Sequence, residues 1–215
     1  MIKIENIITP SANQWLAIIN GTRNPMNSWD KTDSYCESEI QFVMGENDFN
    51  LLKKLAKAGT SHSKYRRMIT VYVDITAPLY WWKEFDTYKV GTVANSCSTM
   101  HKIHAKRFTF EDFSTEHLLS TLGETYESMD CLFDTLFCLN KYRDKYLETK
   151  EEKYWWQMIQ LLPCSYNQKR TVLLNYEVLA NMYRDRKNHK LTEWVDFCKE
   201  IETLPYSELI IGDKE

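Results

Sequence analysis

The stretch Thr70-Val71-Tyr72-Val73-Asp74-Ile75-Thr76-Ala77-Pro78 alternates apolar and polar side chains, the period of a strand with one buried face. Ile69, Val71, Val73 and Ile75 point one way; Met68, Thr70, Tyr72 and Asp74 point the other. A strand is predicted over residues 65–75, and the run stops at Pro78. An aromatic-rich helical turn follows, Trp81-Trp82-Lys83-Glu84-Phe85-Asp86-Thr87-Tyr88-Lys89. Behind it comes Asn95-Ser96-Cys97-Ser98-Thr99-Met100-His101. Amide, hydroxyl, thiol and imidazole groups packed this densely after a core element mark a candidate site.

Outward from this stretch the sequence reads as one α+β domain spanning 1–215, with a small antiparallel sheet and long helices. Residues 1–8 suit a short strand. Ser11 to Asn20 reads as a helix capped by Ser11, with Trp15, Ile18 and Ile19 on its apolar face. Asn20 to Ser38, rich in Asn, Asp, Ser and Thr, reads as a loop. A helix is predicted over Asp48 to Ala58, with Asp48 as cap, Leu51, Leu52 and Leu55 as stripe and Gly59 as stop. Phe108-Thr109-Phe110 suits a brief second strand. From Ser114 to about Thr149, the recurrence of Leu118, Leu122, Met129, Leu132, Phe133, Leu136 and Leu139 predicts one long helix. Helices over Glu152–Leu161 (stopped by Pro163), Thr171–Arg186 and Leu191–Leu204 complete the set.

Composition bounds the function. The 215 residues, 43% hydrophobic and 13% aromatic, suffice for a core of their own. A net charge of -3 argues against a nucleic-acid binder working through bulk charge. Six glycines and five prolines are too few for a many-turned β-sandwich. Met1-Ile2-Lys3-Ile4-Glu5 lacks the apolar region of a signal peptide, and no run reaches a membrane span of about 18 residues. A soluble, cytoplasmic protein with no membrane or nucleic-acid partner is expected. Cys36, Cys97, Cys131, Cys138, Cys164 and Cys198 form no CxxC pair, which favours reduced thiols over zinc. No metal site is expected, although His101 and His104 are spaced i, i+3.

Several candidates carry two readings. Asn95 to His101 is either a site or a polar helix start. Cys97 and His101, four apart, form a possible nucleophile pair that lacks an orienting third group. Trp81 and Trp82, with Tyr80 and Phe85, are core or stack a planar ligand, and Trp155-Trp156 reads the same way. Lys64, Arg66 and Arg67 are a solvated run or a phosphate contact. Arg184 suits the helix dipole, whereas Arg186 is the cation best placed for a ligand.

A series of segments over residues 48–205 then falls in a telling order: Thr60-Ser61-His62-Ser63-Lys64-Tyr65-Arg66; Ala77-Pro78; Thr87-Tyr88-Lys89; Asn95-Ser96-Cys97-Ser98; Leu161-Leu162-Pro163; and Asn175-Tyr176-Glu177-x-Leu179 followed by Arg184-x-Arg186 and Glu193. This resembles the flavin-dependent thymidylate synthases, with their Gly-His-x-Ser-Pro, Arg-His-Arg, Asn-Glu-x-Ser, Leu-Pro and Asn-x-Arg-x-Leu…Arg-x-Arg segments. The resemblance implies a homotetramer that binds FAD and dUMP at subunit interfaces. Such an enzyme makes dTMP by reductive methylation with methylenetetrahydrofolate. It implies Ser98 and Lys89 at the reacting nucleotide, Asn95, Ser98, Lys102 and Arg186 binding it, and His62, Arg66 and Asn175 towards the flavin. The sequence departs from the family where Thr87, Tyr88, Met100 and Ile159 stand for an arginine, a histidine and two further arginines. Methionine and isoleucine cannot form the bidentate fork that holds phosphate. Lys102 and Lys106 are expected to restore part of that charge. The alternatives are a non-catalytic nucleotide- or flavin-binding homo-oligomer on the same fold, or an enzyme acting on a different pyrimidine or acceptor.

Overall fold

The structure, a computed structural model, describes residues 1–120 and 125–212. In chain order its elements are β1 (Lys3–Ile8), α1 (Ala12–Arg23), β2 (Tyr35–Cys36), β3 (Phe42–Val43), α2 (Glu46–Lys57), β4 (Thr70–Pro78), α3 (Leu79–Phe85), β5 (Val93–Ser96), α4 (Thr99–Lys102), α5 (Ser128–Thr149), α6 (Glu152–Leu161), β6 (Asn167–Asn175), α7 (Tyr176–Arg186), α8 (Thr192–Glu202) and α9 (Glu208–Ile211). The architecture is α+β, with a small antiparallel sheet and long helices. The four main strands are ordered β1-β4-β6-β5, and β2 pairs with β3 as an antiparallel two-residue ladder.

The chain divides into two compact units. The first holds Met1–Lys3, Thr76–Phe85 and Asn95–Arg170; the second holds Ile4–Ile75, Asp86–Ala94 and the chain from Thr171 onward.

The second unit follows the sequence closely in its first half. The strand expected over 65–75 begins only at Thr70, because Ser63–Met68 is a 3-10 turn; Val71, Val73 and Ile75 are buried on one face of β4, Ile69 is buried just before it, and Tyr72 is exposed. Full burial of an aliphatic side chain of this size contributes about 1.5–3 kcal/mol. Across the polar face, the Asp74 carboxylate accepts from Asn6 Nδ2 at 2.9 Å and Thr171 Oγ1 at 2.6 Å. In α1, Trp15, Ile18 and Ile19 are buried and Ser11 is the cap, its N–H donating to Gln14 Oε1 at 2.8 Å.

The cap of α2 is a correction. Asp48 lies inside the helix, and Gly45 is the N-cap residue. The capping carboxylate belongs to Asp33, which accepts from the N–H groups of Asn47 at 2.8 Å and Asp48 at 3.0 Å. Asp48 is buried instead. Its carboxylate accepts from Arg23 Nε at 2.8 Å and from the N–H groups of Asp33 and Ser34 at 3.1 and 3.0 Å. The loop expected over Asn20 to Ser38 is partly ordered, since α1 runs to Arg23 and short 3-10 turns follow. The stop at Gly59 stands, in the left-handed region at φ +94°.

Larger corrections concern residues 108–186. Phe110–Asp112 is a 3-10 turn capped by Thr109, because the Asp112 carboxylate accepts from the Thr109 N–H at 2.9 Å, and no strand forms there. The expected long helix begins only at Ser128, as α5. Leu118 lies before it, and Leu122 lies outside the described residues. The helix expected over Thr171–Arg186 is strand as far as Asn175 and helix from Tyr176. The main ladder therefore includes two strands, β5 and β6, that the sequence reading assigned otherwise.

In the first unit, α5 and α6 pack around Leu132, Leu136, Leu139 and Met158, with Ile103, Phe108 and Phe113 beneath. Asn140 fastens this layer by accepting from the Phe108 N–H at 2.9 Å and donating to the Phe108 carbonyl at 3.0 Å. Trp81, Trp82 and Phe85 of α3 are core. Trp82 meets Trp81 edge-on at 4.9 Å and donates its indole N–H to the Gln168 carbonyl at 2.9 Å. The flat face of Trp82 is covered by the Arg170 guanidinium at 4.1 Å, so stacking of a ligand on it is displaced by an internal cation–π contact.

Candidate functional site

Ser98 lies where β5 ends and α4 begins. Its Oγ accepts from the His101 N–H at 3.0 Å, so Ser98 is the cap of α4 and keeps its own proton for a ligand. The segment before it is tied to β6. The Cys97 N–H donates to the Lys169 carbonyl at 2.9 Å, and Gln168 Nε2 donates to the Cys97 carbonyl at 2.8 Å. The buried Gln168 side chain also accepts from Arg170 Nε at 3.0 Å, which fixes its orientation.

Two cavities flank Ser98, each of about 330 Å³. Cys97, Ser98, Lys106 and Tyr166 line both. One adds Lys102 and the other adds Lys169, Asp112 and Glu111. Three lysines thus face space that the Ser98 hydroxyl also reaches. Lys106 is ion-paired with Asp112, and that hydrogen bond holds its ammonium above the usual lysine pKa. Burial raises the Tyr166 phenol, with Asp112 adding to the shift, so it stays protonated as a donor at neutral pH.

The predicted residues divide between the two units. Asn95, Ser98 and Lys102 lie in the first; Lys89, Arg186, His62, Arg66 and Asn175 lie in the second. Within the first, Ser98 and Lys102 line one cavity, and Asn95 is exposed on β5. Cys97 and His101 are both exposed. Among the described residues, no three His, Cys, Asp or Glu side chains gather as metal ligands.

In the second unit the predicted ligands are largely engaged within the chain. Arg186 Nε donates to Tyr88 Oη at 3.0 Å, and its Nη1 lies 3.0 Å from His189 Nε2. Its guanidinium lies over the Tyr88 and Trp194 rings at 5.6 and 5.1 Å. Asn175 caps α7: its Oδ1 accepts from the Val178 N–H at 3.0 Å, and its Nδ2 donates to the Gly91 carbonyl at 3.4 Å. Arg66 Nη1 sits 3.7 Å from Glu177 Oε2, which also accepts from Ser63 Oγ at 3.1 Å. His62 and Lys89 are exposed. As placed, Asn175 and Arg66 meet partners within the chain, while His62 stays exposed. Asn175 is committed to a cap and a turn, and the Arg66 charge is partly met by Glu177.

Gln168, Lys169, Tyr166 and Asp112 escape the sequence reading. For Gln168 and Lys169 the signal is the alternation of Gln168, Val172 and Leu174 as buried residues on β6, masked by the polar run Gln168-Lys169-Arg170-Thr171. Of the departures from the family pattern, Thr87 and Met100 are exposed, Tyr88 holds Arg186, and Ile159 packs on the α5–α6 core.

No family model matches the sequence, and no curated protein is similar to it. Solved structures match in fold. Thymidylate Synthase X (ThyX) from Helicobacter pylori with FAD and dUMP aligns at a TM-score of 0.65 and 15% identity, over 98% of this chain and 96% of that one. A second Helicobacter pylori ThyX complex with FAD and dUMP gives 0.68 and 14%, over 98% and 97%. The UMP/dUMP methylase PolB from Streptomyces cacaoi bound with 5-Br dUMP gives 0.62 and 12%, over 94% and 89%. This chain has the ThyX fold. The match runs nearly end to end, so the ThyX-like chain differs from those structures in its side chains far more than in its architecture. Among the described residues, no helix is long and apolar enough to cross a membrane.

Proposed function

We propose that this ThyX-like chain binds a pyrimidine nucleotide, of the dUMP or UMP type, in the cavities around Ser98. The observation that carries the reading is the gathering of Ser98, Lys102, Lys106 and Lys169 on those two cavities. Lys102 and Lys106 supply cations near the position where Met100 replaces a family arginine. Lysine meets phosphate as a point charge, without the bidentate geometry of arginine. Each charge-assisted hydrogen bond contributes about 1.5–3 kcal/mol, so two lysines offset part of the lost clamp. Asn95 is assigned to the nucleotide with them. That residues 1–215 act as one domain, cytoplasmic and homo-oligomeric, belongs to the same proposal. Exposed Phe133 and Phe137 on α5, with Phe110 packed on Phe133 at 5.7 Å, support a covered face in an oligomer.

Calorimetric titration with dUMP tests the reading. The native chain is expected to give saturable binding, and Lys102→Glu/Lys106→Glu to weaken it by about tenfold or more. Native protein that takes up neither dUMP nor UMP contradicts it.

The second reading adds catalysis: reductive methylation of the nucleotide by FAD and methylenetetrahydrofolate. It is favoured by the fold neighbours, which are a flavin-dependent thymidylate synthase and a UMP/dUMP methylase. The losses at Thr87 and Met100, and the internal engagement of Asn175 and Arg186, weigh towards binding without turnover. A visible spectrum separates the two. A flavin band that appears with added FAD and shifts with dUMP supports catalysis, and a colourless protein that takes up no FAD removes it.

A further inference from the structure

The second unit contains a cavity of about 330 Å³ that shares no residue with the Ser98 site. Its wall is built by α2, the 3-10 turn Ser63–Met68, α7 and α9. Lys53, Lys57, Arg66, Arg184 and Lys187 line it, against a single lining carboxylate, Glu208. Some of these cations have a local explanation. Lys57 ends α2, and Arg184 and Lys187 end α7, where positive charge complements the helix dipole. Arg184 also donates to Asp185 at 3.0 Å, and Lys187 lies 5.7 Å from the Tyr183 ring centroid. The dipole does not explain why the two helix ends converge with Arg66 on one concavity. Arg66 also lies 3.7 Å from Glu177 Oε2, so the recess is not a set of bare cations, but it is basic on balance, which favours an anion. A further observation comes from Arg66, whose side chain is 13% exposed and whose Nε is buried without a hydrogen-bond partner. A buried guanidinium N–H left unmade is costly. The lining also includes the apolar side chains of Ile210 and Ile211 of α9 and Ala180 of α7. The volume falls at the small end of ligand pockets, about 300–1,000 Å³.

We propose that this cavity binds the phosphate group of a small soluble metabolite, held by Arg66 and the lysine and arginine rim, with its less polar part against Ile210 and Ile211. The site is independent of the nucleotide reading above, because its residues are different. Calorimetry with inorganic pyrophosphate at low ionic strength tests it, on the native chain and on Lys57→Glu/Lys187→Glu. Both reversed lysines are exposed, and Arg184→Glu serves as a second variant should the double one fail to fold. The expected result is one saturable site, weakened about tenfold or more by either rim variant and by added salt. Lys102→Glu/Lys106→Glu should leave it unchanged. The proposal is overturned if pyrophosphate gives no saturable binding at millimolar concentration, or if both rim variants bind as the native chain does. Loss of binding in Lys102→Glu/Lys106→Glu with retention in the rim variants also overturns it, since the anion would then belong to the Ser98 site. Binding only to vesicles containing phosphatidic acid, with none to pyrophosphate, overturns the soluble ligand.

Discussion

Asn175 separates a structural role from a ligand role, because the resemblance assigns it to the flavin while the structure makes it a cap. Replacing it with alanine removes the acceptor for the Val178 N–H, worth about 1 kcal/mol at an N-cap. The bond to the Gly91 carbonyl is long, at 3.4 Å, and adds at most about 0.5 kcal/mol. Asn175→Ala is therefore expected to destabilise by about 1.5 kcal/mol, and Asn175→Asp, which keeps the acceptor, by well under half of that. Gly91 is the second arm. It has φ +85°, and a Cβ placed there would lie 2.7 Å from Asn175 Nδ2. Gly91→Ala therefore meets both a left-handed backbone, about 1–2 kcal/mol, and a clash. In the Asn175→Ala background the clash is gone and only the backbone strain remains. A double-mutant cycle by urea denaturation should show a coupling of about 0.5–1 kcal/mol. Asn175→Ala with native stability would refute the cap assignment, and additive effects of the two substitutions would refute the Gly91 contact.

Other consequences follow from the same geometry. Asp48 and Arg23 form a buried ion pair, with side chains 1% and 6% exposed, so Asp48→Ala should destabilise by about 3–5 kcal/mol in thermal or urea unfolding. Arg23→Met/Asp48→Leu should recover most of that loss, and a double variant worse than the single one would contradict the stranded-charge explanation. Burial pushes the Asp33 carboxyl up, but hydrogen bonds from the Asn47 and Asp48 N–H groups outweigh it and its pKa is lowered. With the folded pKa below the unfolded one, this contribution is present above about pH 4 and is lost as pH falls further. Acid unfolding of Asp33→Asn should accordingly show a shallower slope below about pH 4, and an unchanged slope would count against the capping role. Burial, with Glu202 adding to it, pushes the Cys198 thiol up to about 12, whereas Cys97, Cys131 and Cys164 are exposed. A disulfide reagent near about pH 8 should label those three in the folded protein and spare Cys198 until denaturant is added.

The β4 strand was legible because its alternation is strict and its buried face reads Val71, Val73 and Ile75. Helices α1 and α2 were legible from their apolar stripes, and α6 from its stop at Pro163. The cap of α2 was not, because Asp33 reaches it from twelve residues before Gly45, and no local pattern marks a cap supplied by a distant side chain. Gly45 is the trace it leaves, since a Cβ there would overlap the Asp33 carboxylate at 2.1 Å. Strand β6 was hidden by its own register. Its first half carries Gln168, Lys169 and Arg170, which look solvated, yet Gln168 is buried as the tie to Cys97. Residues 114–120 and 125–127 lie outside any helix although Leu118 keeps the apolar spacing of α5, so periodicity alone overextended the element. The same uneven legibility holds for the site. Ser98, Lys102 and Lys106 are close in sequence and line one cavity, whereas Arg186 is enclosed by Tyr88, His189 and Trp194, two of them aromatic partners that become neighbours only in the folded chain.

The most direct test of nucleotide binding at Ser98 uses 5-bromo-dUMP as a photoreactive ligand, with the labelled peptide mapped by mass spectrometry after irradiation. The account predicts one labelled region, within Asn95–Lys106 or Tyr166–Lys169, and its suppression by excess dUMP. Labelling confined to other segments, or no label that dUMP competes away, would contradict it.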